Sequence, residues 1–123
     1  MTDTSFQPVL YVKQGCPFCL KVQLFALEAG ILDRIAVREF TPGSAEETAF
    51  WEELGHALDK VSFPTALLAS GRYVAESDVI IAEFAAISRR DPDALPVYRT
   101  YATEVLPSLV TLYRENQTLK SAI

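Results

Sequence analysis

The sequence predicts a mixed α/β fold, and three observations point there. Strand-like and helix-like patterns alternate through most of the chain. At 123 residues, half of them hydrophobic, the chain is long enough to bury the core of one domain. Its only two cysteines form Cys16-Pro17-Phe18-Cys19, between a short apolar run and the start of a helical pattern.

Pro8 to Val12 reads as a buried strand. Pro17 suits the first turn of a helix, where its missing N–H interrupts nothing, and that helix extends to about Ala29. Leu20, Leu24 and Leu27 define an apolar face that Val22, Phe25 and Ala29 widen. Gly30 is a natural stop. Ile35 to Phe40 gives a second strand, with Ile35 and Val37 on one face and Arg38 on the other, and Thr41-Pro42-Gly43 breaks it. Ser44 and Glu47 have capping-box spacing, so a second helix starts there, with Phe50, Trp51, Leu54 and Leu58 as its apolar face. Thr65 to Ala69 and Arg72 to Ala75 are two short strands joined by the hairpin signal Ser70-Gly71. Ser77 is a suitable N-cap for a third helix, Asp78 to about Ser88, with Ile80, Ile81, Phe84 and Ile87 inward. After the break at Asp91-Pro92-Asp93, Ala94 to about Leu119 reads as one further helix. Pro107 should kink or split it by freeing the carbonyl of Thr103. The first two strands and their connecting helix make a βαβ unit; the last two strands make an antiparallel hairpin followed by a helix.

The formal charge is −5 and the sequence pI about 4.8, which argues against nucleic-acid binding through a basic face. Met1 to Gln7 shows no basic region followed by an apolar core, and Val79 to Ile87 is too short to span a bilayer. The expectation is a cytoplasmic protein with no membrane partner, in which both cysteines rest reduced and any disulfide is transient.

The thiolate is the reactive form of cysteine. Cys16 falls at the helix start, where unpaired backbone N–H groups and the positive end of the helix dipole stabilise an anion. Lys13 adds a positive charge. Cys19, one turn later, is within reach of a mixed disulfide at Cys16. The pair therefore reads as nucleophile (Cys16) and resolving thiol (Cys19). The alternatives are a structural disulfide, two inert core cysteines, and a zinc site; for zinc, two cysteines and the single His56 fall one ligand short of a tetrahedral set, so no metal is expected.

Three motifs carry a resemblance. Lys13-Gln14-Gly15-Cys16-Pro17-Phe18-Cys19 resembles the glutaredoxin Cys-Pro-Tyr-Cys site with its upstream lysine. Ser62-Phe63-Pro64-Thr65 resembles the family segment whose proline is cis. Gly71 through Glu76-Ser77-Asp78 resembles the glutathione S-transferase pattern of glycine turn, strand and Glu-Ser at a helix start. Over roughly Pro8 to Ser88 the chain thus resembles a glutaredoxin or, equally, the N-terminal domain of a glutathione S-transferase. The resemblance implies a thioredoxin-like fold over residues 1–90: βαβ plus ββα, a four-stranded mixed sheet flanked by helices. The residue pattern adds residues 91–123 as a helical extension packed on the same domain.

The resemblance also implies glutathione as co-substrate. Lys13 would pair with the glycine carboxylate. The backbone of Phe63, before Pro64, would pair with the cysteinyl unit in β fashion. Ser77 and the N–H groups of the third helix would hold the γ-glutamyl carboxylate, with Glu76 and Asp78 facing the γ-glutamyl ammonium. Phe18 stands at the family's aromatic position. Phe50 and Trp51 read as core, and His56 as solvated. The implied activity is glutathione-dependent thiol–disulfide exchange on glutathionylated or disulfide-containing proteins. The alternatives are a glutathione-binding or protein-interaction module of the transferase type, and transfer to small electrophiles. In the tail, Tyr98, Ala102, Val105, Leu109 and Leu112 form a stripe, which either packs back on the domain or supports a weak homodimer.

Overall fold

The computed structural model describes residues 6–69 and 71–121. The element order is β1 (Val9–Lys13), α1 (Pro17–Glu28), β2 (Ala36–Phe40), α2 (Ala45–Gly55), β3 (Thr65–Ala69), β4 (Arg72–Ala75), α3 (Ser77–Ser88), α4 (Pro96–Thr100) and α5 (Leu106–Ser121). The expected hairpin turn includes Ser70, which lies outside the described residues, as do Met1 to Ser5. Short 3-10 turns at Leu32–Arg34 and Pro92–Ala94 were not anticipated.

One sheet has the order β2-β1-β3-β4. β1 runs parallel to β2, Leu10 opposite Val37, and antiparallel to β3, Leu10 opposite Ala66. β3 and β4 are antiparallel, with an irregularity between Leu67 and Ala69. β1 is central and covered on both sides, which explains its unbroken apolar run. Leu10 and Val12 face a core with Val22, Phe25, Ile80 and Phe84. Tyr11 faces a second core with Phe40, Phe50, Leu54 and Val61. Helices therefore cover both faces: α1 and α3 on one, α2 on the other.

Four local expectations need correction, the first being Ile87 of α3, which is exposed instead of inward. The inward face of α1 is Cys19, Val22, Phe25 and Ala26, whereas Leu20 and Leu27 are exposed. The helix is apolar nearly all round, so a stripe of large residues does not mark its buried side. Trp51 is exposed, edge-on to Phe63, while its neighbour Phe50 is buried as expected. The tail is not one helix from Ala94: it starts at Pro96 and opens into a π-helical turn at Tyr101–Val105. There the Leu106 N–H bonds the carbonyl of Tyr101, five residues back. This shift in bonding absorbs the missing donor of Pro107, which becomes the second residue of α5.

The capping box at α2 is nearly as expected. The Glu47 N–H donates to Ser44 Oγ at 3.3 Å, and the Glu47 carboxylate reaches back 2.7 Å to the N–H of Gly43, one residue before the cap. Among the described residues no helix is long and apolar enough to cross a membrane.

The tail is anchored by its first part. The Glu28 carboxylate accepts the N–H groups of Val97 and Tyr98 at 3.1 and 2.7 Å, capping α4 from another helix. Tyr98 is buried edge-on against Phe25, and Leu95 and Leu106 are buried too. Val105, Leu109 and Leu112 of the expected stripe are exposed.

Candidate functional site

β1 ends at Lys13 and the chain turns through Gly15, whose φ of +80° favours glycine. The Cys16 N–H donates to the Lys13 carbonyl at 3.2 Å, closing the turn. Cys16 is the N-cap of α1: its backbone is extended, its carbonyl accepts the first helical bond from Leu20, and its Sγ accepts the Cys19 N–H at 3.3 Å. A thiol thus occupies the place usually held by a serine or aspartate oxygen. Cys16 is half-buried and Cys19 buried; both are free thiols.

The two sulfurs have opposite electrostatics. The Cys19 thiol donates to Cys16 and is the largest cause holding it down, to about 6. The backbone N–H groups of Cys19 and Phe18 and the charge of Lys13 lower it further, while burial opposes them. Cys19 is pushed strongly up, because it is the donor in that bond and because it is buried. Its own Sγ accepts the backbone N–H of Lys13 at 3.4 Å. Cys16 therefore holds the thiolate and Cys19 keeps the proton.

Beside this turn lies an open cleft of about 540 Å³ lined by Phe18, Lys60, Ser62, Phe63, Pro64, Ala75, Glu76 and Ser77. Phe18 comes from the turn that Cys16 caps and so brings one edge of the cleft to that turn; Cys16 and Cys19 themselves are not in the lining. The Phe63–Pro64 peptide is cis. The Thr65 hydroxyl, fully buried, donates to the Ser62 carbonyl at 2.5 Å and fixes the loop ahead of β3. Across the cleft, Glu76 is the residue before α3 and has a φ of +72°, a left-handed conformation uncommon outside glycine. Ser77 is thereby the first residue of α3, buried, instead of its cap. The N-terminal amides of α3 open at this point.

Of the residues expected at the site, Phe18, Phe63, Pro64, Glu76 and Ser77 come together around the cleft. Lys13 and Asp78 are not in its lining. The Asp78 carboxylate instead pairs with Lys21 Nζ at 2.5 Å. Three participants escaped the sequence reading. Lys60 supplies a cation in the cleft wall. Lys21, on the buried side of α1, ties α1 to the start of α3. Tyr101, in the π-helical turn, donates its hydroxyl to the Pro17 carbonyl at 2.7 Å and is close enough to Cys16 for the sulfur's charge to raise its own proton affinity, after burial. Pairs 57 and 84 residues apart leave no local trace in sequence.

No protein-family model and no curated protein sequence matches the chain. Solved structures do share its fold. A possible glutathione S-transferase from Rhodopseudomonas palustris is 21% identical with a TM-score of 0.51, over 66% of this chain and 40% of that one. A glutathione S-transferase from the Antarctic clam Laternula elliptica is 23% identical with a TM-score of 0.53, over 71% and 37%. Glutathione transferase Omega 2C from Trametes versicolor is 18% identical with a TM-score of 0.51, over 68% and 38%. The chain thus has the thioredoxin-like fold present in these transferases and spans about 40% or less of their length.

Proposed function

We propose that this protein is a glutathione-dependent thiol–disulfide oxidoreductase, with Cys16 as nucleophile and Cys19 as proton-holding, resolving thiol. The observation that carries the reading is the Cys16 thiolate capping α1 beside the buried Cys19 thiol. In the first step the Cys16 thiolate attacks the glutathione sulfur of a mixed disulfide R–S–S–G. The S–S bond breaks, R–S⁻ leaves and takes a proton from water, and Cys16 carries the glutathionyl group. In the second step a glutathione thiolate attacks that glutathionyl sulfur. Oxidised glutathione forms and the Cys16 thiolate is released. By the dithiol route, Cys19 loses its proton and attacks Cys16 Sγ, expelling glutathione thiolate; two further glutathiones then reduce the Cys16–Cys19 disulfide.

The cleft suits the tripeptide. The amides at the start of α3 and Ser77 hold the γ-glutamyl carboxylate, and the Phe63 backbone pairs with the cysteinyl unit. Glu76 faces the γ-glutamyl ammonium, since Asp78 is already engaged by Lys21. Lys60 from the wall and Lys13 from the turn are the cations for the glycine carboxylate. The second reading, a transferase-type glutathione-binding module without redox turnover, is favoured by the identity of the structural neighbours.

Reduction of a small glutathione mixed disulfide, coupled to a glutathione reductase, separates the two. The expected result is turnover in the wild type, loss in Cys16→Ser, and retained turnover in Cys19→Ser by the glutathione route. No turnover in the wild type, with glutathione still bound, establishes the binding module instead.

A further inference from the structure

One helix face of this molecule has no partner within the described residues. From Pro107 to Ser121 every residue of α5 is exposed except the half-buried Val110. Its apolar residues nonetheless keep a regular spacing. Val105, Leu109, Leu112, Asn116 and Leu119 lie alternately four and three residues apart, and the four apolar ones are 42 to 65% exposed. This is the a/d spacing of a coiled-coil seam, held over two heptads. With Val105, Leu112 and Leu119 at d and Leu109 and Asn116 at a, Pro107 falls at f, on the outside. Leu106 falls at e and is buried against its own domain. A helix of this length with no packing is marginal in water, so a helical α5 calls for a cover.

We propose that α5 forms a parallel, two-stranded coiled coil with α5 of a second copy of this chain. Two features select that occupant. The first is Asn116. In the parallel register its amide meets the same amide of the second copy, and the two hydrogen-bond across the seam. In the antiparallel registers it meets Leu112 or Val105 and is buried without a partner, which is costly. The second is charge. Glu115 at g lies five residues before Lys120 at e, the offset at which g and e of two parallel strands face each other, so the dimer gains two opposite-charge contacts. The seam also runs on into the domain. Val105 shares an apolar hollow with Leu24, Pro96, Val97, Thr100 and Tyr101, which the second copy covers at the foot of the coil.

The seam is two heptads long, so association is concentration-dependent. Sedimentation velocity on the full, reduced chain over a dilution series tests it. The expected result is a twofold rise in mass with concentration. It is abolished in Leu109→Lys/Leu112→Lys, whose changes lie on an exposed face; these lower the helical circular dichroism contributed by α5 and leave the cooperative unfolding of the domain intact. Glu115→Lys weakens the dimer, and adding Lys120→Glu restores it. Asn116→Leu tightens association by about tenfold or more and admits larger oligomers. For orientation, Leu112→Cys in a Cys16→Ser/Cys19→Ser background oxidises to an interchain disulfide, because only the parallel register brings position 112 against itself. A monomer at every concentration overturns the proposal and leaves the face to another segment or a different protein. A dimer that survives the double lysine change, or that fails to cross-link at 112, overturns it as well.

Discussion

Replacing Cys19 with alanine should change the reactivity of Cys16 in opposite directions at low and high pH. Cys16 is held at about 6, chiefly by the Cys19 thiol. An ordinary thiol, with a pKa of about 8.5, is roughly 3% thiolate at pH 7; at about 6 it is roughly 90%. That is about a thirtyfold gain in the reactive form, less than the roughly three-hundredfold change in acidity because the sulfur is already mostly ionised at pH 7. The same lowering weakens each thiolate as a nucleophile by roughly ten- to twentyfold, given a Brønsted slope of about 0.4–0.5. At pH 7 the two nearly cancel, leaving about a two- to threefold advantage in attack. The larger effect falls on release, because a low-pKa sulfur is the better leaving group from the glutathionylated enzyme. In Cys19→Ala the largest lowering influence is gone, and the helix amides and Lys13 remain. Iodoacetamide alkylation against pH reads this directly, since buried Cys19 contributes little. The wild-type profile should have its midpoint near 6. The variant's midpoint should rise by about one pH unit or more. The two profiles should cross, with the variant slower at pH 6 and faster at pH 9. A midpoint that stays near 6, or profiles that never cross, would refute the assignment of Cys19 as the main stabiliser and shift that role to the helix start.

Three further outcomes are expected from the same geometry. Because the folded pKa of Cys16 lies below its unfolded value, the unfolded chain binds the extra proton between about pH 6 and 8.5. Stability from this source therefore grows with pH across that window and is lost as pH falls through 6, so the melting-temperature gap between reduced wild type and Cys16→Ser should widen from pH 5.5 to pH 8.5. Asp78→Ala leaves the Lys21 ammonium, whose side chain is 10% exposed, without its carboxylate, whereas Lys21→Met removes the charge and keeps the stem's packing. In urea the first should destabilise by about 1–2 kcal/mol, discounted because Asp78 is exposed, and the second should be near neutral; equal losses would contradict a charge-pair role. Glu28→Ala removes the carboxylate that caps Val97 and Tyr98, at a cost of about 1 kcal/mol, and should increase amide hydrogen exchange in α4 while leaving β1 and β3 protected.

The parts of this molecule that were legible in the sequence are those whose cause is local. The cysteine turn could be read because a strand, a positive-φ glycine, a proline at N1 and the two sulfurs lie within a few residues of one another. The Ser44–Glu47 cap and the start of α3 near Glu76-Ser77 were legible for the same reason. The side of α1 that faces inward was not. Cys19, Val22, Phe25, Ala26 and Leu20, Leu24, Leu27 are both apolar stripes at helical spacing, and only the sheet and Tyr98 decide between them. Lys21, Tyr101 and Glu28 were missed because each acts on a residue far along the chain, where neither periodicity nor motif spacing carries information. The tail shows the limit most sharply. Tyr98, Ala102, Val105, Leu109 and Leu112 make one continuous stripe in sequence. The π-helical turn at Tyr101–Val105 adds a residue to the helical turn, which rotates α5 relative to α4 about their common axis. Tyr98 then faces Phe25, whereas Leu109 and Leu112 face away from the domain. A single stripe thus serves two surfaces, and a proline that reads as a helix breaker marks where one gives way to the other.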